Sequence, residues 1–438
     1  MKDVILHAFN WKFKDIADRA RRIADAGYGA VLFPPPLYSD ENGPEWWQRY
    51  QPKDYRIMRS HLGRKQDVQR AIDELAKWGV RSYVDVVFNH MANESRQDRW
   101  NFPGQAELDR YKKERAEFEK DKLFGNLDEG FFDDHDFHPP GDISNWSDKA
   151  QLVDLALSGL PDLVLSIAVV RAQVQCLEAL VAMGFSGFRV DALKHLPVAH
   201  INTVFRSGAM QGKYIFGETL TFDRYQNDLF LWPVLSQTGM PCYDFPLQQT
   251  MLRAFSPSGS LRELIHPDAY GNSLPWDKSV TFTVTHDVPN NDGFRGMLLD
   301  PHDEYLANAY VLGRDGGVPL MYSDNGESAR SHACDSGRWE NLWCRYDVTQ
   351  MINFHNSVQG ESMWVLWESD GLLVFARGDR GIVAINKTGE WAHADIRTWG
   401  LRWGNWRCQI HQHQMNIWGD RFQFAVPPRQ AQMWLWEG

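Results

Sequence analysis

Three acidic residues stand at the ends of short apolar runs: Asp191 in Phe188-Arg189-Val190-Asp191, Glu218 in Gly217-Glu218-Thr219-Leu220 and Asp287 in Val284-Thr285-His286-Asp287. A fourth run ends Asp85-Val86-Val87-Phe88-Asn89-His90. One polar residue after a strand is usually a helix cap or a satisfied structural group. Four such ends along one chain mean more, because a parallel barrel delivers the residues that end its strands to a single rim, where barrel enzymes carry out their chemistry. A carboxylate nucleophile and a carboxylic acid roughly 5 Å apart are what retaining cleavage of a glycosidic bond requires. Arg189, two residues before Asp191, shares its strand face and would keep that carboxylate ionised, whereas a desolvated Glu218 would keep its proton. His90 and His286 are placed to hydrogen-bond sugar hydroxyls beside the cleaved bond.

The elements that must position these groups follow from hydrophobic periodicity. Residues 4–11, 30–35, 80–90, 187–192, 214–220, 279–287 and 318–323 read as strands, and a weaker run at 240–245 supplies the sixth in barrel order. Between them, 15–26, 65–78, 168–183 and 304–312 carry apolar residues at helical spacing, for example Val68, Ile72 and Leu75. Alternating strands and helices predict an α/β fold, a (β/α)8 TIM barrel made of residues 1–90 and 163–358. A polar stretch at 91–162, with a charged helical piece near 107–122, is too long for a barrel loop and reads as a small domain inserted after the third strand. Beyond 358 the helical pattern ends, and strands at 363–368, 372–377, 381–386, 406–410, 422–426 and 431–436 predict an all-β sandwich over 359–438. Alternation along strand edges makes surface packing the account of His411, His413 and the many Trp there.

Composition narrows the partners. A formal net charge of -11 argues against nucleic acid, which is bound through clustered Lys and Arg, and no run approaches the roughly 20 apolar residues of a membrane span. The chain contains 19 Trp, whose flat rings suit the apolar C–H faces of sugars. Five cysteines, Cys176, Cys242, Cys334, Cys344 and Cys408, are an odd number without metal-ligand spacing, which fits a reducing compartment. Met1-Lys2-Asp3-Val4-Ile5 enters a strand without a signal-peptide pattern, so the expectation is a cytoplasmic monomer, or a secreted one had a signal been trimmed.

The four strand ends resemble the short motifs of the α-amylase family of retaining glycoside hydrolases, most nearly its animal-type members and their bacterial relatives. Gly27-Tyr28-Gly29-Ala30-Val31, Leu160-Pro161-Asp162-Leu163 and Gly317-Val318-Pro319-Leu320-Met321-Tyr322 extend the resemblance along essentially the whole chain. It implies endo-hydrolysis of α-1,4-glucosidic bonds in starch, glycogen or malto-oligosaccharides. Asp191 would be the nucleophile, Glu218 the general acid/base and Asp287 the stabiliser of substrate and transition state, with Arg189 supporting Asp191. It also implies that Lys194 and His195 serve a leaving-group subsite, and that Trp46, Trp47, Tyr50 and Gln51 of the Trp46-Trp47-Gln48-Arg49-Tyr50-Gln51-Pro52 segment form a sugar platform. The family's structural Ca²⁺ would map to Asn89, Asp162, the carbonyl of His195 and a carbonyl near Val153. A 4-α-glucanotransferase would use the same residues, and a noncatalytic glucan-binding protein the same fold. Val164 departs from the Asn or Asp that commonly follows the Leu-Pro-Asp-Leu motif, and Thr285 replaces the Asn that helps bind chloride in animal-type members. Activity is therefore expected without chloride; reducing-sugar release after exhaustive dialysis, with and without added NaCl, checks this, and a strong chloride requirement contradicts it.

Overall fold

A computed structural model describes residues 2–40, 45–92, 102–325 and 335–438. Eight strands close a parallel barrel: β1 (Ile5–Ala8), β2 (Ala30–Phe33), β3 (Arg81–Val86), β4 (Gly187–Val190), β5 (Tyr214–Gly217), β6 (Cys242–Tyr243), β7 (Ser279–Thr281) and β8 (Val318–Ser323), in the spatial order β1-β8-β7-β6-β5-β4-β3-β2. β1, β2 and β4 are buried at every position, because helices cover the outside of a parallel barrel and side chains fill its inside. The sixth strand is reduced to two residues, and β3 and β7 stop short of the apolar runs that announced them. Past Val86 and Thr281 the chain leaves the ladder, and Asp287 opens a helical turn, Asp287–Asn290.

The helices follow their patterns closely. In α1 (Phe13–Asp25) the apolar residues fall on one face, and α2 (Lys65–Lys77) buries Val68, Ala71, Ile72 and Leu75. α3 (Ile167–Met183) starts where the Ser166 hydroxyl accepts the Val169 N–H at 3.0 Å, and it stops at Gly184, whose φ of 112° lies in the left-handed region. The expected charged helical piece of the insertion is two helices, Gln105–Lys113 and Arg115–Asp121. They pack Leu108, Tyr111 and Phe118 against Tyr38 and Ile57, which lie on an antiparallel pair formed by Leu37–Ser39 and Pro52–Ser60. Residues 93–101 of the insertion lie outside the described part.

Two compact units divide the chain: Met1–His7, Arg22–Gly29 and Asp244–Gly438 form one, and Ala8–Arg21 with Ala30–Tyr243 form the other. The first contains the C-terminal β module. Its six-stranded sheet runs β9-β10-β11-β16-β13-β14, built from β9 (Met363–Glu368), β10 (Leu372–Arg377), β11 (Gly381–Asn386), β13 (Gly404–Cys408), β14 (Gln414–Ile417) and β16 (Gln430–Trp436). β12 (Ala392–Arg397) and β15 (Arg421–Val426) pair separately. β12 and β14 went unread in the sequence because neither presents an apolar run. Among the described residues no cysteine is in a disulfide, Cys334 lies outside them, and no helix is long and apolar enough to cross a membrane.

Within the first unit, Lys387 at the end of β11 donates to the carbonyls of Ala254, Ser256 and Gly259 at 2.8, 2.8 and 2.6 Å. The turn after the helix Phe245–Phe255 gives the Ser256 carbonyl the Gly259 N–H at 3.0 Å, and Lys387 adds a donor to it and to the carbonyls of Ala254 and Gly259. Lys387→Met is expected to remove the ammonium donor from the Ala254 and Gly259 carbonyls and to cost about 2–4 kcal/mol, read as a lower midpoint in urea denaturation.

Candidate active site

Alternation on β4 puts Arg189 and Asp191 on one face, and the β3–β4 register sets Asp85 directly beside Arg189. β5 pairs Gly217 with Val190, which brings Glu218 level with the same group. The guanidinium of Arg189 is fully buried. Its Nη1 donates to Asp85 Oδ1 and Oδ2 at 2.8 and 2.7 Å and to Asp191 Oδ1 at 2.8 Å, while Nη2 lies 2.7 Å from Glu218 Oε2. The Tyr50 hydroxyl donates to Asp85 Oδ2 at 2.9 Å. Three carboxylates therefore share one cation. Burial pushes the Asp191 and Asp85 carboxyls upward, Arg189 draws them down, and repulsion from Glu218 pushes them up again. For Arg189 burial acts downward, but the three carboxylates together hold it well above its ordinary value. One proton is thus retained in the cluster at pH values where isolated carboxyls are ionised.

The turn after β4 fixes the neighbouring positions. Ala192 takes a left-handed φ of 49°, Leu193–His195 form a 3₁₀ turn, and Leu193 N donates to Glu218 O at 2.8 Å. Gly217 is needed at this contact, since a Cβ there would come within 2.1 Å of Leu193 Cδ2. Lys194 Nζ donates to Leu220 O at 3.0 Å, and burial lowers its pKa to about 8. His195 donates Nδ1–H to Leu152 O at 2.9 Å; burial, with Lys194 nearby, lowers its pKa to about 3 and keeps the ring neutral. Trp146 belongs with this pair although its sequence did not single it out: its ring lies 6.0 Å from Lys194 Nζ and edge-on to His195 at 6.3 Å, with 48% of the residue exposed. The readable signal was one large aromatic in the polar segment Ser144-Asn145-Trp146-Ser147-Asp148.

Of the expected sugar platform, Trp47 is exposed, Trp46 and Gln51 are half-buried and Tyr50 is buried. Trp46 stands edge-on to both Phe9 and Tyr50, at 5.9 and 6.0 Å. Tyr50 thus reaches the carboxylate cluster through its hydroxyl. His90 Nε2 donates to Tyr50 O at 2.8 Å, and burial lowers its pKa to about 4, so a neutral ring ties the 3₁₀ turn Trp46–Tyr50 to the end of β3. In the other unit, His286 is buried with Nε2 3.5 Å from Asp287 Oδ2, and its ring meets that of His7 edge-on at 5.4 Å. Asp287 keeps part of its carboxylate open.

The calcium expectation is corrected. Among the described residues no group of three or more His, Cys, Asp and Glu side chains could hold a metal ion. One oxygen of Asp162 and the backbone carbonyls of Leu152 and Asn89 are also otherwise engaged. Asp162 Oδ2 bonds His138 Nδ1 at 2.6 Å, and that hydrogen bond raises the His138 pKa. The carbonyl before Val153, that of Leu152, is taken by His195, and Asn89 O accepts the Leu163 N–H at 2.9 Å. A hard dication needs six to eight oxygens and, commonly, several carboxylates. This set offers the single acid Asp162, already facing a histidine that is drawn toward its cationic form.

Residues 13–224 match the family model described as alpha amylase, catalytic domain, and residues 364–437 match that of the alpha amylase C-terminal all-beta domain. An alpha-amylase of Aeromonas hydrophila is 44% identical over 395 residues, spanning 88% of this chain and 84% of its own. Among solved structures, wild-type alpha-amylase I from Eisenia fetida matches with a TM-score of 0.80 over 99% of this chain and 97% of that one, at 21% identity. A gamma-CGTase from alkalophilic Bacillus clarkii matches with a TM-score of 0.74 over 99% and 70%, at 17% identity. At these identities the structural likeness is one of fold, and hydrolases and transferases share it.

The cluster makes a prediction independent of substrate. Carboxyls held above their unfolded values of about 4 bind protons that the unfolded chain releases, so their contribution is full below pH about 4 and is lost as pH rises through the folded values. Arg189→Met is expected to cost about 3–5 kcal/mol near neutrality and distinctly less at pH 5, where the orphaned carboxyls take up protons. Thermal unfolding across that range reads the difference, and a penalty independent of pH contradicts the charge coupling.

Proposed function

The chain belongs to the alpha-amylase family, and we propose that it hydrolyses internal α-1,4-glucosidic bonds of starch, glycogen and malto-oligosaccharides with retention at the anomeric carbon. The observation that carries this reading is the attachment of Asp191 and Glu218 to the two terminal nitrogens of one guanidinium. Such a tether supports the short carboxyl separation of roughly 5 Å used for retention rather than the roughly 6.5–9.5 Å that inversion needs for a water.

In this reading an Asp191 oxygen attacks the anomeric carbon while Glu218 gives its proton to the glycosidic oxygen, so the carbon–oxygen bond breaks and the shortened chain leaves. A water then attacks the glucosyl ester from the vacated side, and its proton passes back to Glu218 as the Asp191 carboxylate is released. The residues suit these parts. Arg189 donates to Asp191 Oδ1 and so opposes the burial that pushes this carboxyl up, lowering the cost of the charge a nucleophile carries. Glu218 Oε1 is buried without a hydrogen-bond partner among the described residues, which leaves that oxygen available to the glycosidic oxygen. Lys194, beside Trp146, would hold the departing chain, and Asp287 would grip hydroxyls of the glucose being transferred.

Transfer to a sugar hydroxyl would use the same intermediate, and the fold shared with a CGTase keeps that reading in the test. Proton NMR of a short soluble-starch digest is expected to show new reducing ends, α before mutarotation. Glu218→Gln is expected to lower kcat by about a thousandfold. New β ends, or redistributed chain lengths without new ends, would overturn the proposal.

A further inference from the structure

The C-terminal β module exposes tryptophan on a scale that surface packing does not explain. Trp399 is 86% exposed, Trp418 65% and Trp403 55%. Their backbone is nevertheless tied down. Thr398 donates its N–H to Asp420 O at 3.0 Å and its hydroxyl to Gly419 O at 2.6 Å, and Trp436 Nε1 donates to Trp403 O at 3.0 Å. Gly400, at φ 82°, lies so close to the Trp364 indole that a Cβ would approach Cζ2 to 2.9 Å. The loop is thus held against Trp364 while Trp399 projects from it.

Below Trp399 opens a cleft of about 590 Å³ lined by Trp364, Asp395, Arg397 and Arg421, where Arg421 Nη2 lies 2.7 Å from Asp395 Oδ2. The Trp403 and Trp418 rings lie 6.4 Å apart with their planes at 59°. Flat aromatic faces beside a fixed carboxylate and guanidinium suit a neutral ligand that has C–H faces and many hydroxyls. An apolar protein segment would have to desolvate the Asp395–Arg421 pair. A polyanion would meet a chain of net charge -11, and of the two guanidinium groups in the cleft Arg421 is already paired with Asp395. Ring planes inclined to one another follow a curved chain, as α-1,4 linkage gives, better than a flat β-1,4 chain.

We infer that this face, built from residues of the C-terminal module alone, is a binding site for α-1,4-glucan chains that anchors the protein to insoluble substrate. The choice of α-glucan rests on the proposed function, whereas the site itself rests on the side chains named. Cosedimentation of the full chain with raw starch granules tests it, alongside kcat/KM on soluble maltoheptaose. Trp399→Ala and the double variant Trp403→Ala/Trp418→Ala are each expected to bind granules at least about tenfold more weakly, with maltoheptaose turnover within about twofold of the parent. Trp391→Ala, an exposed tryptophan outside the cluster, is expected to change neither. Unchanged granule binding in both cluster variants, an equal loss in Trp391→Ala, or equally strong binding to cellulose overturns the inference. Tryptophan-dependent granule binding by a parent that releases no reducing ends would leave the site standing and remove the hydrolytic reading instead.

Discussion

A guanidinium has no neutral form at any pH the folded protein meets, so burying Arg189 completely commits the barrel to surrounding it with negative charge. Asp191, at the end of the same strand, and Asp85, on the neighbouring β3, supply two hydrogen-bonded carboxylates, and Glu218, at the end of the neighbouring β5, a third contact. The in-register parallel pairing of β3, β4 and β5 is what brings the four side chains together. A one-residue slip in any of these pairings would turn a charge out of the barrel's interior and leave the others uncompensated. The same excess of carboxylate over cation leaves the cluster with a proton to hold, and acid/base chemistry needs one. Fold specification and reactivity here draw on a single electrostatic arrangement.

Much of this was legible along the chain, for identifiable reasons. Parallel strands buried on both faces read as continuous apolar runs, so β1 to β5, β7 and β8 stood out, and the polar residues that close those runs marked the rim. β6 was faint because only Cys242 and Tyr243 enter the ladder. β12, reading Ala-His-Ala-Asp-Ile-Arg, and β14, reading Gln-Met-Asn-Ile, pair through their backbones and bury few side chains, so hydrophobicity did not betray them. Asp85 lay inside a motif already noted, but its part became visible only through its register with Arg189.

Contacts made across long loops were illegible. The calcium expectation named Asn89, Asp162, Val153 and His195 by motif, yet nothing local to those residues announces His138, which reaches Asp162 across 24 positions of the insertion. Trp146 joins Lys194 by the same kind of return. Conversely, the tryptophans of the C-terminal module were visible as composition while their arrangement was not, since exposure and ring inclination are properties of the folded loop.

The contact at Gly217 has a consequence for how the sequence can change. Leu193 bonds the Glu218 carbonyl and fills the space a side chain at 217 would need, so the segment after β4 and the end of β5 form one mechanical block. Substitutions at 191–195 and at 217–220 will be strongly epistatic: the tolerance measured at one segment holds only for the other as it stands. Libraries aimed at this rim should vary the two segments together, since scanning either alone would score as forbidden residues that a compensating partner permits.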